Sequence, residues 1–386
     1  QIRRLNEDGI DRAQGIYAAA LETSALKSAA FSDISSGNSI FIFLSPERLH
    51  DKDFRAEVRL FAESHVVNTA VLDEAHCISE WGHNFRTAYL NVARNLRRIC
   101  SESKEFPPTV LALTGTASSA VLRDVIREIK DPNRDIEIIK PSTYDRPNLN
   151  YRISIGTNVD VYPRLSKMLL STLPTFLGQT SKQMIARAGQ STSSGIVFVP
   201  TRPTMMATQD HILKEFHSPE KVQGSKNQAG LVGIFSGKPP KGIAEKKWQD
   251  LKNEAAHNFI KNMTPILVAT KAFGMGIDKP NIRWTIHIGF PSSLESFAQE
   301  SGRAGRDGNR SLCVILASPG SKEEAKEVLD LSVSPEARHA AYLKLDQFGK
   351  DDLFTQLYFH NLLFSGTKIE IEEAISLLNL LRELHA

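Results

Sequence analysis

The chain has 386 residues and a formal net charge of +3, with 41% hydrophobic and 24% charged residues. These values are ordinary for a soluble α/β protein with enough chain for two domains, and no apolar run has the length of a membrane span. The three cysteines, Cys77, Cys100 and Cys313, have neither metal-ligand spacing nor the spacing of a disulfide framework. A reducing intracellular compartment without bound zinc is therefore predicted.

Basic residues are distributed unevenly along the chain. Residues 321–386 hold 7 Lys and Arg against 12 Asp and Glu, whereas residues 1–320 hold 40 against 32. The excess positive charge therefore belongs to the first 320 residues, which weakly favours binding to phosphate groups.

Apolar runs at 40–44, 66–72 and 109–113 predict strands in the first part of the chain. Asp73-Glu74-Ala75-His76 follows the second run directly. Because the carboxyl ends of parallel strands carry the chemistry of open α/β sheets, Asp73 is a candidate Mg²⁺ ligand and Glu74 a candidate for orienting or deprotonating water. The alternative is a strand end that happens to carry two acidic residues.

In the second half, strands alternate with amphipathic helices, the pattern of a parallel doubly wound sheet. Predicted strands cover 195–199, 231–235, 265–269, 282–288 and 312–317, and a charged helix covers about 244–261. Two prolines near Lys140-Pro141 and Asp145-Arg146-Pro147 forbid a regular helix and place a domain boundary there. We expect domains at 1–140 and 141–320, followed by a small acidic helical module at 321–386.

A glycine-broken loop follows a predicted helix at Gln299-Glu300-Ser301-Gly302-Arg303-Ala304-Gly305-Arg306. Planar guanidinium groups suit the spread charge of a phosphoryl-transfer transition state, and glycines allow close backbone approach. Arg303 and Arg306 are therefore candidate arginine fingers; the alternative is an ordinary surface loop. Residues 178–194 are rich in Ser, Gly, Gln and Thr, which predicts a mobile surface insertion that would contact DNA, if at all, through Lys182 and Arg187.

Further motifs occur in a fixed order along the chain. They are Ser45-Pro46-Glu47-Arg48-Leu49, Trp81-Gly82-His83-Asn84-Phe85-Arg86, Thr114-Gly115-Thr116-Ala117, Asp145-Arg146-Pro147-Asn148-Leu149 and the stretch from Ala269 to Pro280. Together with the acidic strand end and the arginine loop, they resemble RecQ-type DNA helicases of helicase superfamily two over residues 1–318. The ordered series is far more specific than any one motif.

This resemblance implies an α/β fold of two RecA-like lobes with parallel sheets, and an ATP- and Mg²⁺-dependent motor in DNA repair and recombination. The implied partners are single-stranded and duplex DNA, with RNA a lesser alternative, in the cytoplasm, nucleoid or nucleus. Nucleotide-site residues would be Asp73, Glu74, His76, Gly276, Asp278, Gln299, Gly302, Arg303 and Arg306. Thr114 and Thr116 would couple the lobes, although a strand-to-helix cap is an alternative for them, as packing is for His76.

Two segments are candidates for contact with DNA. Trp81, His83, Phe85 and Arg86 form an aromatic loop, and stacking on unpaired bases is worth about 1–3 kcal/mol per base; core packing is the alternative for any one ring. Arg202, Thr270 and Lys271 follow predicted strands, where they would bind successive phosphates without reading base sequence.

The sequence departs from the family pattern in two respects. No Gly-x-x-x-x-Gly-Lys-Ser/Thr phosphate loop occurs, and Gly237-Lys238 and Gly349-Lys350 are the nearest approaches. The four-cysteine zinc module of many relatives is also missing. We therefore expect a chain that begins within the first lobe and is by itself a poor ATPase, and a non-catalytic DNA-binding or regulatory protein remains the alternative function.

Overall fold

The computed structural model describes residues 18–20, 36, 41–46, 49, 52–79, 87–101, 107–115, 117–140, 143, 145–216, 230–274 and 279–319, together with nine single positions between 332 and 356. The chain divides into two compact units, Gln1–Thr143 and Tyr144–Ala386. The module predicted at 321–386 lies outside the described residues apart from those nine positions.

The described part of the first unit contains two pairs of parallel strands and three α-helices. The strands are β1 (Ala18–Ala20), β2 (Phe41–Phe43), β3 (Thr69–Leu72) and β4 (Thr109–Ala112), and the helices are α1 (Lys52–Ser64), α2 (Val92–Ser101) and α3 (Ser119–Ile129). β1 pairs with β2, and β3 pairs with β4 in the register Thr69 with Thr109. Val121 and Val125 of α3 are buried in the core of this unit.

The second unit is built on a six-stranded sheet whose neighbouring strands are all parallel. Its strands are β5 (Leu149–Ile155), β6 (Ser194–Phe198), β7 (Val232–Phe235), β8 (Ile266–Ala269), β9 (Ile282–Ile288) and β10 (Ser311–Ala317), in the spatial order β5-β10-β9-β6-β8-β7. β6, β8 and β10 are buried along their whole length, as expected for central strands covered on both faces. The predicted α/β class with parallel sheets is confirmed.

Helices flank this sheet. They are α4 (Val161–Lys167), α5 (Leu173–Leu177), α6 (Ser181–Met184), α7 (Arg202–Glu215), α8 (Glu245–Ile260) and α9 (Leu294–Ser301), with a π-helical stretch at Met168–Thr172. Gly195 in β6 lies against Trp284 in β9, where an added Cβ would come within 1.9 Å of the indole. Only glycine fits there, since the large buried ring occupies the space of any side chain.

The insertion predicted at residues 178–194 lies at the surface over much of its length, since Lys182, Gln183 and residues 186–191 are exposed, but it contains a short helix. Thr180 and Gln183 form a reciprocal capping box that begins α6, and Met184 is fully buried in the core of the second unit. Asn281 also donates its side-chain amide to the carbonyl of Thr192, at 3.1 Å. The polar composition of residues 178–194 gave no indication that Met184 is buried. The packing of this methionine in the core holds the segment in place.

Candidate functional site

The acidic pair lies at the carboxyl end of β3. Asp73 is exposed, and Glu74 has left-handed backbone angles, with φ 50° and ψ 46°. The Glu74 amide donates to the Asp73 carboxylate at 3.0 Å. The next residue, Ala75, donates its amide to the carbonyl of Leu113 beyond β4, at 2.8 Å. This bond holds the strained turn in place, so both carboxylates stay at the strand end.

His76 brings together residues from two neighbouring strand ends. Its ring is 8% exposed, and its Nδ1 atom lies 3.3 Å from Thr114 Oγ1 and 3.4 Å from Glu74 Oε2. The register between β3 and β4 places Thr114 beside the acidic pair. Three of the predicted site residues are therefore in contact, and the burial of His76 shows that it also packs in the core.

The turn after His76 is tied to α3 by a contact that sequence reasoning missed. Ser79 is buried, and its hydroxyl donates to the Asp124 carboxylate at 2.5 Å. Neither residue belongs to a recognisable motif, because the pair is separated by 45 positions and forms only when α3 packs beside the turn.

The arginine loop of the second unit, residues 302–306, begins where α9 ends. Ser293 caps α9 by accepting from the amides of Glu295 and Ser296. At Gly302, an added Cβ would lie 2.5 Å from the carbonyl oxygen of Ala298, so the chain leaves the helix where a side chain does not fit. Arg303 is 6% exposed, whereas Arg306 is exposed.

Arg146 holds the backbone of the arginine loop in place. The sequence had indicated this residue only as part of the boundary between the two domains. Its guanidinium donates to the carbonyls of Gly302 at 2.6 Å, Ala304 at 2.8 Å and Gly305 at 2.9 Å. Asn148 donates to the Gly305 carbonyl at 2.8 Å. A planar, permanently charged fork suits such a set of oxygens, so Arg146 acts as a positioning residue for the loop.

Two further contacts fix the surroundings of the arginine loop. Glu300 in α9 and His287 in β9 form a buried pair, with the carboxylate 3.0 Å from His287 Nε2. Beyond the loop, Asp307 pairs with Arg283. Burial opposes ionisation of Asp307, but hydrogen bonds from Arg283 and Asn309 outweigh it and hold the pKa of this carboxyl below its usual value of 3.8.

Polar and basic residues stand at the carboxyl ends of two adjacent strands, β6 and β8. Thr201 and Arg202 follow β6, and the Thr201 hydroxyl caps α7. Thr270 follows β8, and its amide donates to the carbonyl of Phe235 at the end of β7, at 3.1 Å. Arg202 and Lys271 are exposed. The predicted row therefore lies on one edge of the sheet.

The comparisons with known proteins agree with this architecture. Residues 179–308 match the family model of the helicase conserved C-terminal domain. The ATP-dependent DNA helicase RecQ of Bacillus subtilis is 29% identical over 323 residues, which cover 83% of this chain and 44% of that protein. The probable ATP-dependent DNA helicase RecS of the same organism is 28% identical over 349 residues, covering 86% and 60%.

The chain is therefore similar to RecQ-type DNA helicases over most of its length. It spans about half the length of these curated relatives. Among solved structures, the DUF1998 helicase MrfA bound to DNA superimposes with a TM-score of 0.55 at 16% identity, covering 89% of this chain and 44% of that one. At this identity the likeness concerns the fold, which is that of RecA-like helicase domains.

The match to the helicase C-terminal domain model includes residues 179–194, consistent with the burial of Met184. Trp81, His83, Phe85, Arg86, Thr116, Gly276 and Asp278 lie outside the described residues, so their predicted roles stay predictions. No helix of the described part of the chain is long and apolar enough to cross a membrane.

Proposed function

We propose that this chain is part of an ATP- and Mg²⁺-dependent helicase that moves along single-stranded DNA and unwinds duplex DNA. The observation that carries this proposal is the cluster of Glu74, His76 and Thr114 at the ends of two parallel strands. The matching relatives support it, since they are named ATP-dependent DNA helicases.

In the first unit, the exposed carboxylate of Asp73 fits a hard cation that prefers oxygen ligands. Bound Mg²⁺ would supply charge neutralisation at the phosphates. Glu74 would orient an attacking water and take its proton, because its side chain is accessible and His76 lies beside it at 3.4 Å. His76 would act as a positioning residue that keeps the Glu74 carboxylate and the Thr114 hydroxyl in place relative to each other.

In the second unit, Arg303 and Arg306 would stabilise negative charge that develops on transferred phosphate oxygens. Gln299 and Gly302 lie in the same turn and would bring polar and backbone groups to the nucleotide. The support for these roles is the rigid attachment of the loop through Arg146, since preorganised donors stabilise charge without reorganisation.

The row at the carboxyl edge of the second sheet would bind the DNA backbone. Arg202, Thr270 and Lys271 present cationic and hydroxyl groups on neighbouring strand ends, which suits phosphates spaced along one strand. Phosphate contacts carry no information on base identity, so binding should be independent of sequence.

Binding of a labelled 20-nucleotide oligothymidine to the 386-residue chain, measured by fluorescence anisotropy over a salt series, tests this function. Lys271→Ala should weaken binding and reduce the slope of log K against log salt by about 0.7, the contribution of one phosphate contact on a single strand. Lys214→Ala removes an equal charge from the far end of α7 and should leave both values unchanged. Absence of wild-type binding at low salt would refute the proposed DNA-binding role.

A further inference from the structure

A basic turn follows β7 and is not part of the row described above. Residues 237–242 read Gly-Lys-Pro-Pro-Lys-Gly, and the sequence resembles a phosphate loop only in its Gly-Lys pair. From Gly237 to Lys247 the chain carries four lysines and one glutamate. Lys238 and Lys241 are exposed, whereas Pro240 between them is buried.

The backbone of this basic turn is fixed from several sides. Ser236, which is buried, donates its hydroxyl to the Lys238 carbonyl at 2.7 Å. The indole of the fully buried Trp248 donates to the Ser236 carbonyl at 3.1 Å. Arg202 donates to the Pro239 carbonyl at 2.5 Å. These bonds hold the backbone of the turn in place.

The tip of the turn has its own tight geometry. The amide of Ile243 donates to the Pro240 carbonyl at 3.2 Å, and Gly242 has φ +87°. A positive φ at the third position is the signature of a type II turn. Lys241 occupies the second position of this turn and is exposed.

The basic turn lies directly beside the proposed phosphate row. β7 is the neighbour of β8, which is the neighbour of β6, so the ends of the three strands are adjacent. At Gly237, an added Cβ would lie 3.4 Å from the Cβ of Ala272, the residue after Lys271. The hydrogen bond from Arg202, a residue of the row, to the carbonyl of Pro239 also links the basic turn to the row.

We propose that Lys238 and Lys241 form a second phosphate-binding pair that extends the row and binds the sugar-phosphate backbone of single-stranded DNA. This inference rests on the proposed function of the row. A fixed backbone lowers the entropy lost on binding, and no described carboxylate forms an ion pair with either lysine. When Lys271 binds one phosphate of the DNA, phosphates two or more nucleotides further along the same DNA strand would reach the basic turn.

The test compares Lys238→Ala with Lys241→Ala, and both together, in the 386-residue chain with the same labelled oligothymidine. The double variant should reduce the slope of log K against log salt by about 1.4 and weaken binding about tenfold or more at low salt. The matched control is Lys167→Ala with Lys214→Ala, which removes two exposed charges from α4 and the end of α7. Lys238→Gln with Lys241→Gln repeats the test with less loss of side-chain volume.

Four results are distinguishable. A loss in the turn variants that exceeds the loss in the control supports the second phosphate pair. An unchanged slope in the turn variants, with a reduced slope in Lys271→Ala, overturns the pair but leaves the proposed row intact. An equal loss in turn and control variants also overturns it, because only overall charge would matter. Absence of wild-type binding refutes the row and the pair together.

Discussion

Replacing Arg146 by lysine tests whether the arginine loop is positioned by this residue. The guanidinium makes three hydrogen bonds to the carbonyls of Gly302, Ala304 and Gly305, at 2.6 to 2.9 Å. An ammonium group keeps the charge, but it is compact and lacks the planar fork, so we expect it to reach one of these oxygens at a time.

The expected magnitude follows from the two bonds that are lost. Hydrogen bonds that involve a charged group contribute about 1.5–3 kcal/mol each, so the lower end gives about 3 kcal/mol for two. Every 1.4 kcal/mol is about tenfold in an equilibrium constant, and local opening of the loop should therefore become about 100-fold more favourable.

Amide hydrogen exchange followed by mass spectrometry measures this opening. The amides of Ala304 and Gly305 donate to the carbonyls of Ser301 and Ile282, so their exchange reports on the loop directly. In Arg146→Lys, peptides that cover residues 302–306 should exchange about 100-fold faster.

Arg164→Lys is the matched control for Arg146→Lys. Arg164 also donates to several carbonyls, those of Ser154 at 2.6 Å and Ala317 at 2.9 Å among them, but at the opposite end of the sheet. Its replacement should speed exchange near Gly156 and leave the arginine loop unaffected. Unchanged exchange at Ala304 and Gly305 in Arg146→Lys would refute the positioning role.

Two further predictions concern chemistry and pH. In a full-length preparation that hydrolyses ATP, Glu74→Gln should keep nucleotide binding but lower turnover at least ~100-fold, because the base is lost and Asp73 is kept; unchanged turnover would exclude Glu74 as the base. Lys279 is 1% exposed, and burial, with a smaller effect of Arg283, lowers its pKa from 10.5 to about 8. Between pH 8 and pH 10.5 the Lys279 side chain is therefore protonated in the unfolded state and neutral in the folded state. The free energy of unfolding should rise with pH across this range, by at most about 3 kcal/mol. Denaturant titrations at pH 7.5 and pH 10 should show this rise in the wild type and a smaller one in Lys279→Met; the same rise in both would contradict the assignment.

Local patterns in the sequence predicted several of the elements together with their bounds. The strand predicted at 282–288 is β9 with the same bounds, and the helix predicted at about 244–261 is α8, Glu245–Ile260. The position of Asp73 and Glu74 after β3 also followed from sequence, since an apolar run that ends in carboxylates is a local signal.

Contacts between distant segments required the tertiary structure. Arg146 lies 156 residues from Gly302, and its partners are backbone carbonyls. Every residue carries a carbonyl, so no side-chain type in the arginine loop indicates that an arginine will bind there. The burial of Lys279 is similar, because its ammonium contacts the Asn262 side chain and lies 5.1 Å from the Phe259 ring only after α8 has packed on the sheet.

The sequence by itself determined the apolar periodicity, the motif order and the residues capable of chemistry, because each of these is a property of neighbouring positions. The tertiary structure decided which strand ends are adjacent, and the spatial order β5-β10-β9-β6-β8-β7 does not follow the chain. That order places Arg202, Lys271 and the basic turn on one edge. It arises from burial of the strands' apolar faces, a free energy that depends on all the elements packed together and is not encoded at any single position.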